Sequence, residues 1–105
     1  MTIEEMMTIG EMMTIFEKAI ETYGADLQKQ VAIEEMAELT KEICKDFRGK
    51  DNREHIIEEI ADVDIMLQQL MIMYDITTEE MLNAVGIKIA RLDERLKEEQ
   101  NHDKD

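Results

Sequence analysis

Between Ile56 and Met73 runs a stretch that is apolar in nearly every direction and yet carries Glu59 and Asp62. Laid out at about 100° per residue, these two acids share a stripe with Val63, Met66, Leu70 and Met73, while Ile56, Ile57, Ile60, Ile65, Leu67, Met71 and Ile72 point elsewhere. A helix apolar all round is normally enclosed by others, so this one must be covered on several sides. An ionised carboxylate buried there without a partner would neutralise instead. A cation is therefore expected, either a basic side chain or a metal held by several acids, and the neighbouring chain supplies more acids than bases.

A second acidic cluster lies upstream. The chain reads EEMAE over Glu34–Glu38, then twenty residues, then EIAD over Glu59–Asp62. In each cluster two acids sit three apart, Glu35 with Glu38 and Glu59 with Asp62, so each pair projects from one face of a helix across about one turn. With a helix end and a new helix start between them, the two clusters describe a hairpin of helices carrying four carboxylates.

Helix punctuation supports this. A first core helix is expected over Thr14–Thr22, with Ile15, Phe16, Ala19, Ile20 and Tyr23 inward, stopped by Gly24. Asp26 caps a second that runs to about Phe47 and ends at Gly49. Its broad apolar side gathers Ala32, Ile33, Met36, Ala37, Leu39, Ile43 and Phe47. Glu35 falls at the border of that side, and Glu38 lies further round with Lys41, Glu42 and Lys45. Asp51 with Glu54 forms a D-x-x-E capping box for the third helix, which ends near Tyr74; Thr77 with Glu80 forms another for the fourth, over Thr78–Lys97. The fourth has an apolar seam of Met81, Val85, Ile89, Leu92 and Leu96, and beside it a basic row of Lys88, Arg91 and Arg95. That row pairs with the acids of the second and third helices, receives phosphates, or pairs with Glu94, Glu98 and Glu99 along its own helix. With no proline and no β-branched alternation, the fold class is all-α, an up-down four-helix bundle joined by short links.

The ends contribute no chemistry in this reading. MTIEEM, MTIGEM and MTIFEK form a six-residue repeat, and six matches neither 3.6 nor 3.5. Residues 1–12 are read as an extension, a frayed or separately packed helix, against the alternative of a methionine-rich surface for a partner helix or soft metal. Residues 13–99 form the helical domain, and 100–105 a polar, disordered tail.

At 105 residues the core of such a chain is marginal alone, and the enclosed third helix points to a homo-oligomer, a dimer or tetramer. With 26 acidic and 12 basic residues, net charge −14, nucleic acid strands and anionic membranes are repelled. A nucleotide still binds where divalent ions invert the local field. One cysteine, Cys44, argues for a reducing compartment without a disulfide, and is read as a core or border residue. The absence of a long uncharged stretch and of a signal-like start makes the cytoplasm the expected location.

The E-E-x-x-E cluster, the spacer of twenty and E-x-x-D on the next helix resemble the signature of the MazG-like all-α nucleoside triphosphate pyrophosphohydrolases. The flanks FEKAIETYG, AIEEMAELTKEI and RGKDNREHIIEEIADVDIMLQQL, with K-x-x-R at Lys88 and Arg91, resemble small phage- and Firmicute-type members. The likeness covers Phe16 to Leu96. It implies that Glu35, Glu38, Glu59 and Asp62 hold Mg²⁺, with Mn²⁺ a possible substitute, and that the α–β phosphoanhydride of a nucleoside triphosphate is cleaved to monophosphate and pyrophosphate. Glu38 serves catalysis as a ligand, and Glu34, beside the ligands, accepts or orients a proton of the attacking water. Lys88 and Arg91 stabilise phosphate charge. Leu92 and Asp93 depart from the fuller polar pattern of some relatives, which weakens the phosphate assignment relative to the metal assignment.

Other chemistries lack their residues. A di-iron bundle needs E-x-x-H pairs, and neither His55 nor His102 has a Glu three residues earlier. Zinc is disfavoured by one Cys and two scattered His; His55 is read as a surface residue or a phosphate neighbour rather than a ligand. The aromatic residues Phe16, Tyr23, Phe47 and Tyr74 are read as core rather than as base-stacking platforms. The rival from another class is a non-catalytic acidic helical module of prophage type that binds a nucleotide or a protein.

Overall fold

A computed structural model of the chain describes residues 7–103. Four helices and no strand occur among them: α1 (Ile9–Tyr23), α2 (Ala25–Phe47), α3 (Arg53–Met73) and α4 (Thr78–Asp103). The chain divides into two compact units, one ending at Asp75 and containing α1–α3, the other beginning at Ile76 and containing α4.

Helix α1 begins five residues before the expected Thr14. Its cap is Thr8, whose hydroxyl accepts from the Glu11 N–H at 3.1 Å while Glu11 Oε2 accepts from the Thr8 N–H at 3.3 Å. Thr14 instead donates to the Gly10 carbonyl from within the helix, at 3.0 Å. Residues 9–12, expected to be extension, thus form the opening turn, and Met1–Met6 lie outside the described residues. Phe16, Ala19 and Ile20 are half-buried as expected, whereas Ile15 and Tyr23 are exposed and Met13 takes an inward place.

Gly24 alone links α1 to α2, closing the first and opening the second. Its φ of 89° and ψ of 149° belong to a region essentially reserved for glycine. Asp26, expected as the cap, sits inside the first turn, and no side chain caps α2. There its charge faces the positive end of the helix dipole.

Helix α2 ends in a Schellman motif. The Gly49 N–H donates to the Asp46 carbonyl at 2.9 Å and the Lys50 N–H to the Lys45 carbonyl at 3.1 Å, with Gly49 at φ 87°, as such an end requires. Gly49→Ala forces an L-residue into the left-handed region, at roughly 1–2 kcal/mol. Urea unfolding should show that loss as a lower midpoint with an unchanged slope.

Hydrogen bonds at both ends fix α2 and α3 as an antiparallel hairpin. Gln28, early in α2, donates to Gln69, late in α3, at 2.7 Å; Asn52, which opens α3, donates to Glu42, late in α2. Between these ends Ala32, 1% exposed, and Met66, 5% exposed, are the buried apolar residues among those described. The inward stripe of α2 is Gln28, Ala32, Glu35, Leu39 and Glu42, at alternating steps of four and three. This corrects the apolar side expected from sequence. Ile33 and Phe47 are exposed, at 66% and 86%, Cys44 is exposed, and Glu42, expected among solvated charges, is buried. On α3 the stripe of Glu59, Val63, Met66, Leu70 and Met73 faces inward as expected, with Asp62 exposed at its edge.

The expected Asp51–Glu54 capping box is absent. Asn52 occupies the cap position of α3 without a side-chain capping bond: its Nδ2 is turned to Glu42, and its Oδ1 is buried without a hydrogen-bond partner among the described residues. The Thr77–Glu80 box is present, Thr77 Oγ1 accepting from the Glu80 N–H at 3.1 Å and Glu80 Oε1 accepting from the Thr77 N–H at 3.3 Å. Helix α4 continues past Lys97 to Asp103, through residues expected to be disordered.

Candidate metal centre

The hairpin brings Glu35, Glu59 and Asp62 together. One carboxylate oxygen from each lies within 4.8 Å of the others. Glu35 comes from the middle of α2, seven residues from both Gln28 and Glu42; Glu59 and Asp62 come from successive turns of α3. Seven residues is close to two helical turns, so Gln28, Glu35 and Glu42 share one face and the two hydrogen-bonded ends bracket the acids between them. Glu35 and Glu59 are half-buried and Asp62 is exposed. The arrangement has an inner wall and an open side.

Glu59 Oε2 is buried without a hydrogen-bond partner among the described residues. Among the described residues no basic side chain forms an ion pair with any of the three acids, the lysines in ion pairs being Lys45 with Glu42 and Lys97 with Asp93, while His55 Nδ1 lies 3.8 Å from Glu58. Burial, followed by the charges of Asp62 and Glu59, raises the pKa of Glu35. Burial, followed by Asp62 and Glu38, raises that of Glu59. Glu42 behaves oppositely, its pKa lowered chiefly by the Asn52 hydrogen bond and then by Lys45. One carboxylate in the hairpin is satisfied as an anion, and the cluster beside it is not.

The signs of these shifts set a pH response. An acid whose folded pKa is raised binds more protons folded than unfolded, so stability falls as pH rises from the ordinary glutamate value, about 4.3, through the raised folded value. Glu42 contributes stability above the ordinary value and loses it as pH falls through its lowered one. In EDTA, Glu59→Gln should therefore gain in unfolding midpoint relative to the native chain as pH rises through the carboxylate range. Below that range the two should converge. Thermal melts followed by circular dichroism across a pH series check this.

Glu38 is exposed and outside the set of mutually close oxygens, although its charge acts on both Glu35 and Glu59. Glu34 is exposed. Lys88 and Arg91 lie on α4, lining an open face with Met81, Ala84, Val85, Ile89 and Leu92. Neither forms an ion pair among the described residues. His55 is exposed, as expected. Tyr74, expected in the core, is 58% exposed, and Lys29 Nζ sits 4.7 Å from its ring centroid, a cation–π contact that occupies a face a base would need.

Sequence reasoning passed over Gln28, Asn52, Glu42 and Gln69, which fix the hairpin around the acids. The signal was a spacing: Gln28, Glu35 and Glu42 recur every seven residues, as do Asn52, Glu59 and Met66, and such a recurrence marks one face of a packed helix. No family model, curated protein or solved structure matches the chain.

The donor set fits a hard divalent cation. It consists of carboxylate oxygens only, the donor type that Mg²⁺, Ca²⁺ and Mn²⁺ take. The orphaned Glu59 Oε2 and the mutual repulsion of three acids are both relieved by such an ion. No helix among the described residues is long and apolar enough to cross a membrane.

Proposed function

We propose that the chain is a Mg²⁺-dependent nucleoside triphosphate pyrophosphohydrolase of the MazG-like all-α type, cleaving between the α and β phosphates. The observation that carries this is the convergence of Glu35, Glu59 and Asp62 from two helices, with a buried Glu59 oxygen lacking any partner. A salt-bridged surface cluster would have basic partners. This one has none among the described residues, on a chain whose acidic spacing resembles the family signature.

In this reading Glu35, Glu59 and Asp62 hold the ion, and Glu38, on the same turn of α2 as Glu35, completes the acidic surface. The chemistry a divalent ion supplies when bound is neutralisation of phosphate charge and acidification of a water. Glu34, rotated by about 100° from Glu35, takes the proton of the attacking water. Lys88 and Arg91, three apart on one face of α4, bind phosphate oxygens and stabilise charge developing there. Mn²⁺ substitutes for Mg²⁺, having the same preference for oxygen ligands.

Self-association belongs to the same reading. Ile57, Ile60 and Leu67 of α3 are 49%, 53% and 46% exposed and form an open apolar face with Leu39, Ala61 and Val63. Val85, Ile89, Leu92 and Leu96 of α4 are also exposed. Contiguous apolar surface of this kind marks association, and a homodimer or homotetramer would bury these faces.

The deciding experiment measures phosphate and pyrophosphate release from a panel of ribo- and deoxynucleoside triphosphates with Mg²⁺, with Mn²⁺ and with EDTA. Monophosphate plus pyrophosphate, formed only with metal, is expected. Silence across the panel from folded, oligomeric protein would overturn the assignment in favour of a non-catalytic binding module.

A further inference from the structure

At the loop end of the hairpin lies a polar cluster that the proposed chemistry does not use. Asn52, only 7% exposed, directs Nδ2 to the Glu42 carbonyl oxygen at 2.8 Å and to Glu42 Oε2 at 2.7 Å. Lys45 Nζ donates to Glu42 Oε1 at 3.0 Å. Both carboxylate oxygens of Glu42 are therefore occupied, and one amide ties its backbone and side chain to the residue that opens α3. Helix capping does not account for this, since Asn52 makes no side-chain bond to the first turn of α3.

The cluster bears on the acidic centre in two ways. Glu35 precedes the α2 side of the clamp by seven residues and Glu59 follows the α3 side by seven, so both acids stand about 10 Å along their helices from it. Ion–ligand distances tolerate only about 0.2 Å, and any splaying of the two helices separates Glu35 from Glu59 and Asp62. In addition, the fixed negative charge of Glu42 acts on Glu59, which favours a cation beside Glu59 over an empty site.

We infer that Asn52 and Glu42 are a positioning pair for the acidic centre: Asn52 locks the approach of α2 to α3 and fixes the Glu42 carboxylate at the loop end of the hairpin, and together they set the affinity for a divalent cation. The inference rests on the metal-centre reading above. Neither residue touches the ion or the substrate; both act through Glu35 and Glu59.

The test is Mn²⁺ binding to the full chain, by calorimetry and by the electron paramagnetic resonance signal of free Mn²⁺. The proteins are the native chain, Asn52→Ser, Glu42→Gln and Gly49→Ala. Serine is as good a cap as asparagine but too short to reach Glu42, so Asn52→Ser releases the clamp while retaining a helix start. Its Mn²⁺ affinity should fall about tenfold or more, as for removal of outer partners of metal ligands. Glu42→Gln keeps an acceptor for Asn52 and removes the charge, so a smaller, several-fold loss is expected. Gly49→Ala weakens the same loop without touching the pair, and its affinity should stay within about twofold of native, which a purely structural role for the clamp would not predict.

Native-like affinity in Asn52→Ser would overturn the inference while leaving the metal centre standing. An equal loss in Gly49→Ala would overturn it too, by reducing the effect to general stability. Should Asn52→Ser fail to fold, Glu42→Gln decides, and an unchanged affinity there overturns the inference. No Mn²⁺ uptake by the native chain would sink both this inference and the reading beneath it.

Discussion

Glu59→Gln is expected to cut metal-dependent pyrophosphate release by roughly a hundredfold or more and, in EDTA at neutral pH, to raise the unfolding midpoint. The two effects have one cause. Glu59 Oε2 is buried with no donor, its charge stands against Asp62 and Glu38, and Glu35 and Asp62 lie within 4.8 Å. An amide of the same shape removes one of the crowded charges and brings an N–H₂ able to donate to either neighbour. The metal-free protein gains on both counts, while the ion loses an anionic ligand. Loss of activity with gain of stability separates a functional site from a structural one, because a residue that held the fold together would lose both. Asp62→Asn should follow the same pattern with a smaller rise, since Asp62 is exposed. Glu38→Gln tests the fourth acid, whose charge reaches the centre from outside the close set. Turnover of Glu59→Gln equal to native, measured with Mg²⁺ on the best substrate of the panel, would remove Glu59 from the site; a lower midpoint in EDTA would show that its burial is satisfied in some other way.

How much of this could be read from the sequence depends on which physical signal each feature left. Apolar periodicity gave the inward stripe of α3 with Glu59 in it, and glycine at the helix ends gave Gly24 and Gly49 their places. The start of α1 was ambiguous, because the repeat offers T-I-x-E three times, at Thr2, Thr8 and Thr14, and each has the form of a capping box. The structure uses Thr8 and absorbs Thr14 into the helix; Thr2 lies outside the described residues. Apolar patterning failed on α2 for a different reason. The face that meets α3 is largely polar, with Gln28, Glu35 and Glu42 on it, so counting apolar residues selected the wrong side and placed Ile33 and Phe47 inward. Partner identity was also hidden. Asp51 and Glu54 have the spacing of a box, but Asn52 between them found a buried carboxylate ten residues back in the chain, and no local pattern records a bond across a turn. The convergence of the acids was legible as a spacing; the polar bonds that hold it were not.

The buried bond between Gln28 and Gln69 should show a large coupling when its partners are removed singly and together. Gln28 is 7% exposed and Gln69 4%, and Nε2 of the first donates to Oε1 of the second at 2.7 Å. Replacing one by leucine leaves the other's amide buried without its partner, a loss of about 1–3 kcal/mol. Replacing both leaves no orphaned group and adds apolar surface next to Met66 and Ala32, so the double variant should be near native or more stable. The urea-derived stabilities of Gln28→Leu, Gln69→Leu and the pair therefore should not add, and the coupling energy should exceed about 1 kcal/mol. Additive losses would mean that each glutamine acts through packing alone. The pair also has a consequence for the site. It closes the hairpin at the end away from the loop, as Asn52 and Glu42 close it at the other, and a polar bond in a thin core fixes register more than it adds stability. The double leucine variant keeps the burial and loses the register constraint, so α2 is free to slip along α3. If register is what Gln28 and Gln69 provide, that variant should be as stable as native and yet bind Mn²⁺ more weakly, because Glu35 no longer stands in one fixed position opposite Glu59 and Asp62.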